Sequence, residues 1–249
     1  MDDKVEKINP YIHDLRPKTA QVRDMFDSIA PAYDFMNRAM TFGIDRRWRS
    51  TAVKMISGGS PKHILDVATG TADLAIKLAR DLAPCRVTGI DLSEGMVEIG
   101  RRKVTEAGLD GTVELTCGDC LAMPFGDGEF DCVTVAYGVR NFEHLDRGYA
   151  EMLRVLRPGG ELCVIELSTP VSPIVKPFYR LYTSYIIPAV GRLVSKDVRA
   201  YSYLPESIAA VPQGERMLDI MRSAGFTDCR CRRLTFGTCS IYTAKKPEK

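Results

Sequence analysis

Features that mark three common classes of protein are missing from this chain. Its formal net charge is only +2, whereas nucleic-acid-binding proteins concentrate basic side chains on one face. No apolar run approaches the roughly 20 residues of a membrane-spanning helix. The first ten residues are acidic and polar, unlike the basic and then apolar start of a secretory signal peptide. We therefore expect a cytoplasmic protein that binds no nucleic acid and is at most peripheral to a membrane.

Histidine is scarce, and this scarcity bears on metal binding. The three histidines, His13, His63 and His144, are scattered along the chain. The eight cysteines include one C-x-x-C pair, Cys117 and Cys120, but a zinc site needs four ligands at suitable spacing. We therefore predict no metal site and interpret most of the cysteines as core thiols.

Glycine is also scarce in the segment that has the pattern of a nucleotide-binding turn. Residues 64–73 read as a buried strand, a tight turn and the start of a helix, and Asp91 ends the next predicted strand. A dinucleotide fingerprint needs G-x-G-x-x-G, but Gly70 is the only glycine between Ala68 and Ala72. The segment also has no phosphate-binding lysine. Since an acid at the end of the second strand can accept hydrogen bonds from a ribose diol, the pattern predicts a nucleoside without phosphates, such as S-adenosylmethionine (SAM).

Short β-rich runs alternate with helical stretches from residue 63 onward. The five predicted strands before the C-terminal region are His63–Val67, Arg86–Ile90, Val113–Cys117, Asp131–Ala136 and Glu161–Leu167. Between them, apolar residues recur at helical spacing in Asp73–Asp81, Glu94–Ala107 and Glu143–Leu156. A tight turn is predicted at 157–160, and the runs Asp228–Leu234 and Cys239–Ala244 are predicted to form an antiparallel hairpin. The pattern thus predicts an α/β fold whose seven-stranded, mostly parallel sheet has helices on both faces.

Two segments fall outside this alternation. Residues 11–57 are predicted to form helices before the first strand, on the substrate side, and residues 170–212 to form a helical insertion. We expect both to belong to a single domain that spans residues 1–249, and the insertion to form a lid or a substrate pocket. Residues 174–199 are basic, aromatic and amphipathic, which is typical of a stretch that lies on the inner face of a membrane. A pocket wall or a homodimer face would have a similar composition.

Several motifs together resemble those of class I, Rossmann-like SAM-dependent methyltransferases. They are the loop at 68–72, Asp91, Gly118-Asp119-Cys120-Leu-Ala-Met-Pro-Phe and Leu156-Arg-Pro-Gly-Gly160. A closer resemblance, to the menaquinone and ubiquinone biosynthesis C-methyltransferases, lies outside these motifs. Its runs are Phe26-Asp-Ser-Ile-Ala30-Pro-Ala-Tyr33-Asp34-x-x-Asn37, Phe42-Gly43-x-x-x-x-Trp48-Arg49, Ala136-Tyr-Gly-Val-Arg140-Asn141-Phe and Tyr201-x-Tyr203-Leu-x-Glu206-Ser207-Ile.

The closer resemblance implies C-methylation of a prenylated quinol with SAM as the methyl donor, and demethylmenaquinol as the first expected acceptor. A benzoquinol of ubiquinone synthesis (2-methoxy-6-polyprenyl-1,4-benzoquinol), or another small acceptor, is an alternative, as is a non-catalytic nucleoside-binding module. The implied SAM-binding residues are Ala68, Gly70, Thr71, Asp91, Asp119 and Cys120. The implied catalytic residues are Tyr33, Arg140 and Asn141, and the implied substrate-binding residues are Asn37, Tyr182 and Tyr201.

The chain departs from the family pattern at the nucleoside-binding loop. The family usually has Gly-Gly-Thr-Gly where this chain runs from Ala68 to Ala72 with one glycine. We expect the alanines to allow a tight turn, because glycine is needed only where φ is positive. A second interpretation of the polar motif residues is structural: Asp34 and Arg49, or Arg140 and a nearby acid, merely tie the N-terminal helices to the core.

Overall fold

A seven-stranded sheet forms the centre of the computed structural model, which describes residues 4–83, 85–186 and 198–248. The strands are β1 (His63–Val67), β2 (Arg86–Asp91), β3 (Val113–Cys117), β4 (Phe130–Ala136), β5 (Leu156–Leu167), β6 (Thr227–Leu234) and β7 (Cys239–Lys245). Their order across the sheet is β3-β2-β1-β4-β5-β7-β6. Strands β1 to β5 are parallel, and β7 is antiparallel to both β5 and β6. The predicted mostly parallel sheet with a C-terminal hairpin is therefore confirmed.

Helices precede the first strand and connect the later ones. Those in the described residues are α1 (Lys18–Thr41), α2 (Asp45–Ile56), α3 (Asp73–Asp81), α4 (Glu94–Glu106), α5 (Leu145–Val155), α6 (Val175–Leu181), α7 (Val198–Ala210) and α8 (Glu215–Ser223). A π-helical turn, Tyr182–Ile186, follows α6. The three helices predicted between the strands are present as α3, α4 and α5, and both segments outside the alternation contain helices.

The side chains of β4 alternate between two cores, one on each face of the sheet. Val133 belongs to one core, with Tyr149 of α5 and Met217 of α8. Cys132 belongs to the other core, with Leu78 of α3. Because helices cover both faces, the strands in the middle of the sheet are apolar nearly throughout.

The predicted tight turn at 157–160 is instead a bulge inside β5. Phe130 of β4 pairs with Leu156, but Cys132 pairs with Glu161, so residues 157–160 stand opposite the single residue Asp131 of β4. Gly159 has a φ of 72°, which glycine adopts without strain. The turn-forming residues therefore mark a local irregularity of the strand, and β5 begins before them rather than after them.

Two carboxylates fix the position of α1 by accepting hydrogen bonds, one at the N-terminus of α4 and one at the N-terminus of α1 itself. Asp27 of α1 accepts hydrogen bonds from Ser93 Oγ (2.5 Å) and Gly95 N (3.0 Å) at the start of α4. Glu143 accepts bonds from Thr19 N (3.1 Å) and Thr19 Oγ1 (2.6 Å) at the start of α1. Carboxylates are favoured there because the first N–H groups of a helix lack intrahelical partners. These contacts fix α1 against the region where open α/β sheets bind ligands, the carboxyl ends of the parallel strands.

Candidate active site

The carboxyl ends of β1 to β4 open into a cavity that we call the strand-end cavity. It encloses about 700 Å³, its open mouth included. Its wall includes Ala68 after β1, Asp91 at the end of β2, Gly118 after β3, Ala136 at the end of β4 and Phe26 of α1. The strand order reverses between β1 and β4, and ligands of doubly wound sheets bind at such a switch point.

Asp91 is held in the wall of the strand-end cavity by two backbone donors. Its carboxylate accepts hydrogen bonds from Gly70 N (2.7 Å) and Ser93 N (2.9 Å). Burial raises the pKa of Asp91, while these two bonds oppose the rise. Each carboxylate oxygen has accepted one of the two bonds and can accept another. This arrangement suits a ligand with two neighbouring hydroxyl groups, such as a ribose diol.

The turn after β1 has a left-handed backbone at three positions. Ala68, Gly70 and Ala72 have φ values of 52°, 57° and 64°. A tight turn does form, as expected, but both alanines adopt the positive φ for which glycine was expected to be needed. A left-handed alanine costs roughly 1–2 kcal/mol. The turn keeps this shape because the hydrogen bond from Gly70 N to Asp91 fixes it against β2.

Asp119 and Cys120 line the strand-end cavity on the side of β3. The Asp119 Oδ1 atom accepts a hydrogen bond from Leu121 N (2.8 Å). Burial raises the pKa of the Cys120 thiol well above its ordinary value, so the thiol stays protonated and presents a small, weakly polar surface. Of this pair, Asp119 is thus the group that can recognise a polar edge of a ligand.

Thr71 lies outside the wall of the strand-end cavity in the described structure. Its hydroxyl donates to Asp34 of α1 (2.5 Å). Lys103 of α4 bridges Asp34 (2.6 Å) and Asp73 (2.5 Å), and Arg49 of α2 lies 3.8 Å from Asp73. The side chain of Thr71 therefore joins the turn to α1. This geometry favours the structural interpretation of Asp34 as a tie between the N-terminal helices and the core.

A second cavity, the helix-lined cavity, lies between the N-terminal helices and residues of the 170–212 segment. It encloses about 940 Å³, its open mouth included. Tyr33 and Tyr137 line both cavities, so the two cavities adjoin. The apolar part of the wall consists of Met40, Phe42, Ile44, Trp48, Leu167, Leu204 and Ile208. Both segments outside the βα alternation therefore contribute to one largely apolar cavity.

Arg140 lines the helix-lined cavity and pairs with an acid that sequence reasoning missed. Its Nη1 atom lies 2.8 Å from Glu166 of β5 and also donates to the carbonyl of Tyr137. Burial by itself would lower the pKa of Arg140, but the charges of Glu166, Tyr33 and Tyr203 and the hydrogen bond to Glu166 together outweigh that effect, and the pKa is raised. Arg140 is therefore a permanent cation. The signal for Glu166 was a lone acid within the apolar run Leu162–Leu167.

The other polar residues predicted for the substrate side surround Arg140. Tyr33 is hydrogen-bonded to Asn37, and burial raises the pKa of Tyr33, so its hydroxyl stays protonated. Asn141 lines the strand-end cavity, and its Oδ1 atom accepts a hydrogen bond from Tyr203 (3.2 Å). Tyr33, Asn37, Arg140 and Asn141 also share the wall of a smaller third cavity. The fold thus brings these four residues together from α1 and the segment after β4.

Of the two predicted substrate tyrosines, Tyr182 is the one whose side chain the structure describes. Tyr182 lines the helix-lined cavity and donates a hydrogen bond to the carbonyl of Met40 (2.6 Å). Tyr201 lies in α7, but its side chain is outside the described part of the structure. Sequence reasoning missed Tyr137 and Tyr179, which line the same cavity. Tyr137 stands beside predicted site residues in the sequence, and that position was the available signal.

Comparisons with known proteins place the chain in one family. The model of the ubiE/COQ5 methyltransferase family matches residues 15–246. A demethylmenaquinone methyltransferase of Bacteroides fragilis is 48% identical over 241 residues, which cover 97% of this chain and 98% of that protein. A ubiquinone/menaquinone biosynthesis C-methyltransferase of Geobacter sulfurreducens is 45% identical over 246 residues, which cover 98% of this chain and 95% of that protein.

Solved structures of lower sequence identity have a similar fold. The [4+2]-cyclase SpnF matches with a TM-score of 0.69 and 21% identity, over 94% of this chain and 98% of that one. A SAM-dependent methyltransferase of Thermotoga maritima matches with a TM-score of 0.63 and 17% identity, over 91% of this chain and 99% of that one. These likenesses confirm the predicted Rossmann-like methyltransferase fold and carry no argument about the acceptor.

Proposed function

This chain belongs to the ubiE/COQ5 methyltransferase family, and we propose that it transfers the methyl group of SAM to a ring carbon of a prenylated quinol, demethylmenaquinol. The pair of adjoining cavities carries the proposal. The strand-end cavity has the Asp91 carboxylate and the turn of a nucleoside site, whereas the helix-lined cavity is largely apolar and contains the guanidinium group of Arg140. Tyr33 and Tyr137, which line both, mark where donor and acceptor would meet. The names of the relatives favour the same reaction.

SAM fits the strand-end cavity in size and in chemistry. The volume of about 700 Å³ falls within the range of small-molecule cavities, about 300–1,000 Å³. The two oxygens of Asp91 would accept hydrogen bonds from the ribose hydroxyls, and the backbone of residues 68–72 would hold the methionine end. Asp119 and the backbone N–H of Cys120 would contact adenine. When bound, SAM supplies the methyl group as an electrophile on its sulfonium sulfur.

The side chains around the helix-lined cavity would activate the acceptor. Loss of a proton from one quinol hydroxyl pushes electron density onto the neighbouring ring carbon, which forms the new C–C bond as the bond between methyl and sulfur breaks. Arg140 stabilises the phenolate, because a guanidinium does not lose its proton at working pH. Tyr33, together with Asn141 from the wall of the adjoining strand-end cavity, hydrogen-bonds the quinol oxygens or the water that takes up the departing ring proton. Asn37 orients the hydroxyl of Tyr33.

The decisive experiment supplies the purified protein with methyl-labelled SAM and, in separate reactions, with demethylmenaquinol and the ubiquinone-pathway benzoquinol. Label on the ring of the naphthoquinol is the expected result. Transfer to the benzoquinol alone would move the chain to ubiquinone synthesis. SAM binding without transfer to either quinol would overturn the proposal and favour a non-catalytic nucleoside-binding module. The assay uses the whole chain, since we propose that residues 1–249 act as one catalytic domain.

We also propose that the enzyme receives its prenylated substrate from the inner face of a membrane. An apolar patch of exposed side chains, defined as Phe42, Ile174, Phe178, Leu181 and Tyr185, adjoins the helix-lined cavity. The ring of Phe42 lies 5.9 Å from that of Tyr182, which lines the cavity. Lys176 and Arg180 stand in the same helix, α6, and would favour anionic lipids. None of the helices described has both the length and the apolarity of a membrane-crossing segment.

Flotation with lipid vesicles tests this docking. The double variant Phe178→Ser and Leu181→Ser should float less well with phosphatidylglycerol vesicles. It should also show a raised KM for a long-tailed quinol and an unchanged KM for a short-tailed one. The control is Leu15→Ser, which changes an exposed leucine outside the patch. Unchanged flotation together with loss of a dimer in sedimentation would identify the patch as a homodimer face instead.

A further inference from the structure

Three buried polar atoms around the helix-lined cavity lack a hydrogen-bond partner among the described residues. They are Arg49 Nε, Tyr137 Oη and Arg140 Nε, and all three residues line that cavity. Buried polar groups in native proteins are nearly always hydrogen-bonded, because leaving one unpaired loses its interaction with water without replacement. Three such atoms around one cavity point to a polar partner that occupies the cavity when the protein works.

Tyr137 is also held in a strained backbone conformation. Its φ is 62°, in the left-handed region that bulky residues rarely adopt. The conformation is fixed from both sides of the residue: Tyr137 N donates to the carbonyl of Ile165 (2.8 Å), and the carbonyl of Tyr137 accepts from Arg140. Strain of this kind persists where the surroundings hold it and is frequent at ligand sites. Here it places a buried phenol in the wall between the two cavities.

Arg49 lies directly beside this phenol. The guanidinium carbon of Arg49 is 5.4 Å from the centre of the Tyr137 ring. Asp45, paired with Arg49, and Asp73, which is 3.8 Å from it, supply the opposite charge. Arg49 is therefore neutralised through its terminal nitrogens, while its Nε–H has no partner in the described structure. The side chains of Arg49 and Tyr137 are thus in contact in the wall of one cavity, and each has a buried donor with no partner among the described residues.

We propose that the Tyr137 hydroxyl and the Arg49 Nε–H together bind one ring oxygen of the acceptor quinol, and so set which ring carbon faces the methyl donor. The inference rests on the proposed function and goes beyond the residues implied by the family resemblance. Burial raises the pKa of Tyr137 well above its ordinary value, so this phenol acts as a donor and not as a base. Two donors on one oxygen fix the position of the ring more tightly than Arg140 could alone.

The chain offers a direct probe of this site. Its single tryptophan, Trp48, lines the helix-lined cavity and donates from Nε1 to Thr235 (2.8 Å). Quenching of Trp48 fluorescence by a short-chain 2-prenyl-1,4-naphthoquinol therefore measures acceptor binding without turnover. Calorimetry separately measures the binding of SAM, which the proposed function places in the strand-end cavity.

The test compares Tyr137→Phe with wild type and with Tyr149→Phe. Tyr137→Phe should weaken quinol binding about tenfold, the usual effect of one lost buried hydrogen bond, and leave SAM binding unchanged. The loss should disappear with the prenylated naphthol that lacks the contacted oxygen and persist with the isomer that keeps it. Tyr149→Phe removes the same atom from a core tyrosine whose hydroxyl contacts Met217, so it should leave quinol binding unchanged.

The outcomes separate the two proposals. If wild type turns over the quinol and Tyr137→Phe binds the quinol and both naphthols as wild type does, the inference is wrong and the proposed function stands. An equal loss with both naphthols would also overturn it, because a merely structural effect would not distinguish them. If wild type neither binds nor methylates the quinol, the proposed function itself fails.

Discussion

The variant Glu166→Gln should lose about 3 kcal/mol of folding free energy, because it breaks a buried ion pair while keeping the shape of the side chain. Glu166 is 1% exposed and Arg140 5%. Besides its contact with the guanidinium, Glu166 accepts bonds from Arg140 N (3.3 Å) and Leu167 N (2.8 Å). A glutamine oxygen can replace one of these acceptors. Its amide nitrogen would instead face a donor, and the guanidinium would lose its counter-ion.

The magnitude follows from burial. Removal of one partner of a buried pair costs about 3–5 kcal/mol, since the other charge is left uncompensated. We expect the lower end because the glutamine still accepts one hydrogen bond. In a chain of this length, 1 kcal/mol changes Tm by roughly 2–4 °C, so Tm should fall by about 6–12 °C. Turnover should fall more than SAM affinity, since Arg140 lines the helix-lined cavity.

A matched exposed pair supplies the control. Arg86 and Glu114 lie 2.7 Å apart with side chains 63% and 65% exposed, so Glu114→Gln should cost less than about 1 kcal/mol. Urea unfolding of both variants, with ΔG extrapolated to water, makes the comparison. Equal losses in the two variants would refute the reasoning, because burial is then not what gives the Arg140–Glu166 pair its importance.

Three further perturbations have definite expected outcomes. Asp91→Asn should weaken SAM binding by about tenfold to a hundredfold in calorimetry and leave quinol quenching of Trp48 unchanged, because a carboxylate is replaced where only donors approach it; unchanged SAM affinity would contradict the assigned role. Burial raises the pKa of Asp66 from 3.8 to about 6. The protonated Asp66 side chain therefore stabilises the fold fully below pH 3.8, and this stabilisation is lost as the pH rises through about 6. The unfolding free energy of wild type minus that of Asp66→Asn should therefore fall by about 3 kcal/mol between those values, and a flat difference would show that the pKa is not shifted. Lys103→Met should destabilise the protein by about 1–2 kcal/mol in urea and raise the KM for the quinol, because Asp34 and Asp73 lose the cation between them. Lys77→Met should do neither, and equal effects would mean that the bridge does not hold α1.

The alternation of β-rich and helical runs determined most of the fold. The side chains of a strand alternate between two faces, so a local pattern is enough to identify Asp131–Ala136 as a strand with cores on both sides. The single glycine of the 68–72 turn and the acid at Asp91 likewise indicated a nucleoside without phosphates. The pattern failed at 157–160, where turn-forming residues lie inside a strand, since a bulge and a turn use the same residue types.

The sequence by itself therefore determined the sheet and, through the motifs at Tyr33 and Arg140, the family, and it indicated a nucleoside cofactor. Only the tertiary structure decided what these residues contact. Glu166 lies 26 residues from Arg140 in the chain, and Asp34 lies 69 residues from Lys103. Such partners meet because of strand register and helix placement, which no local periodicity encodes. The same is true of Tyr137 and Arg49, whose donors without partners among the described residues become visible only once the fold closes a cavity around them.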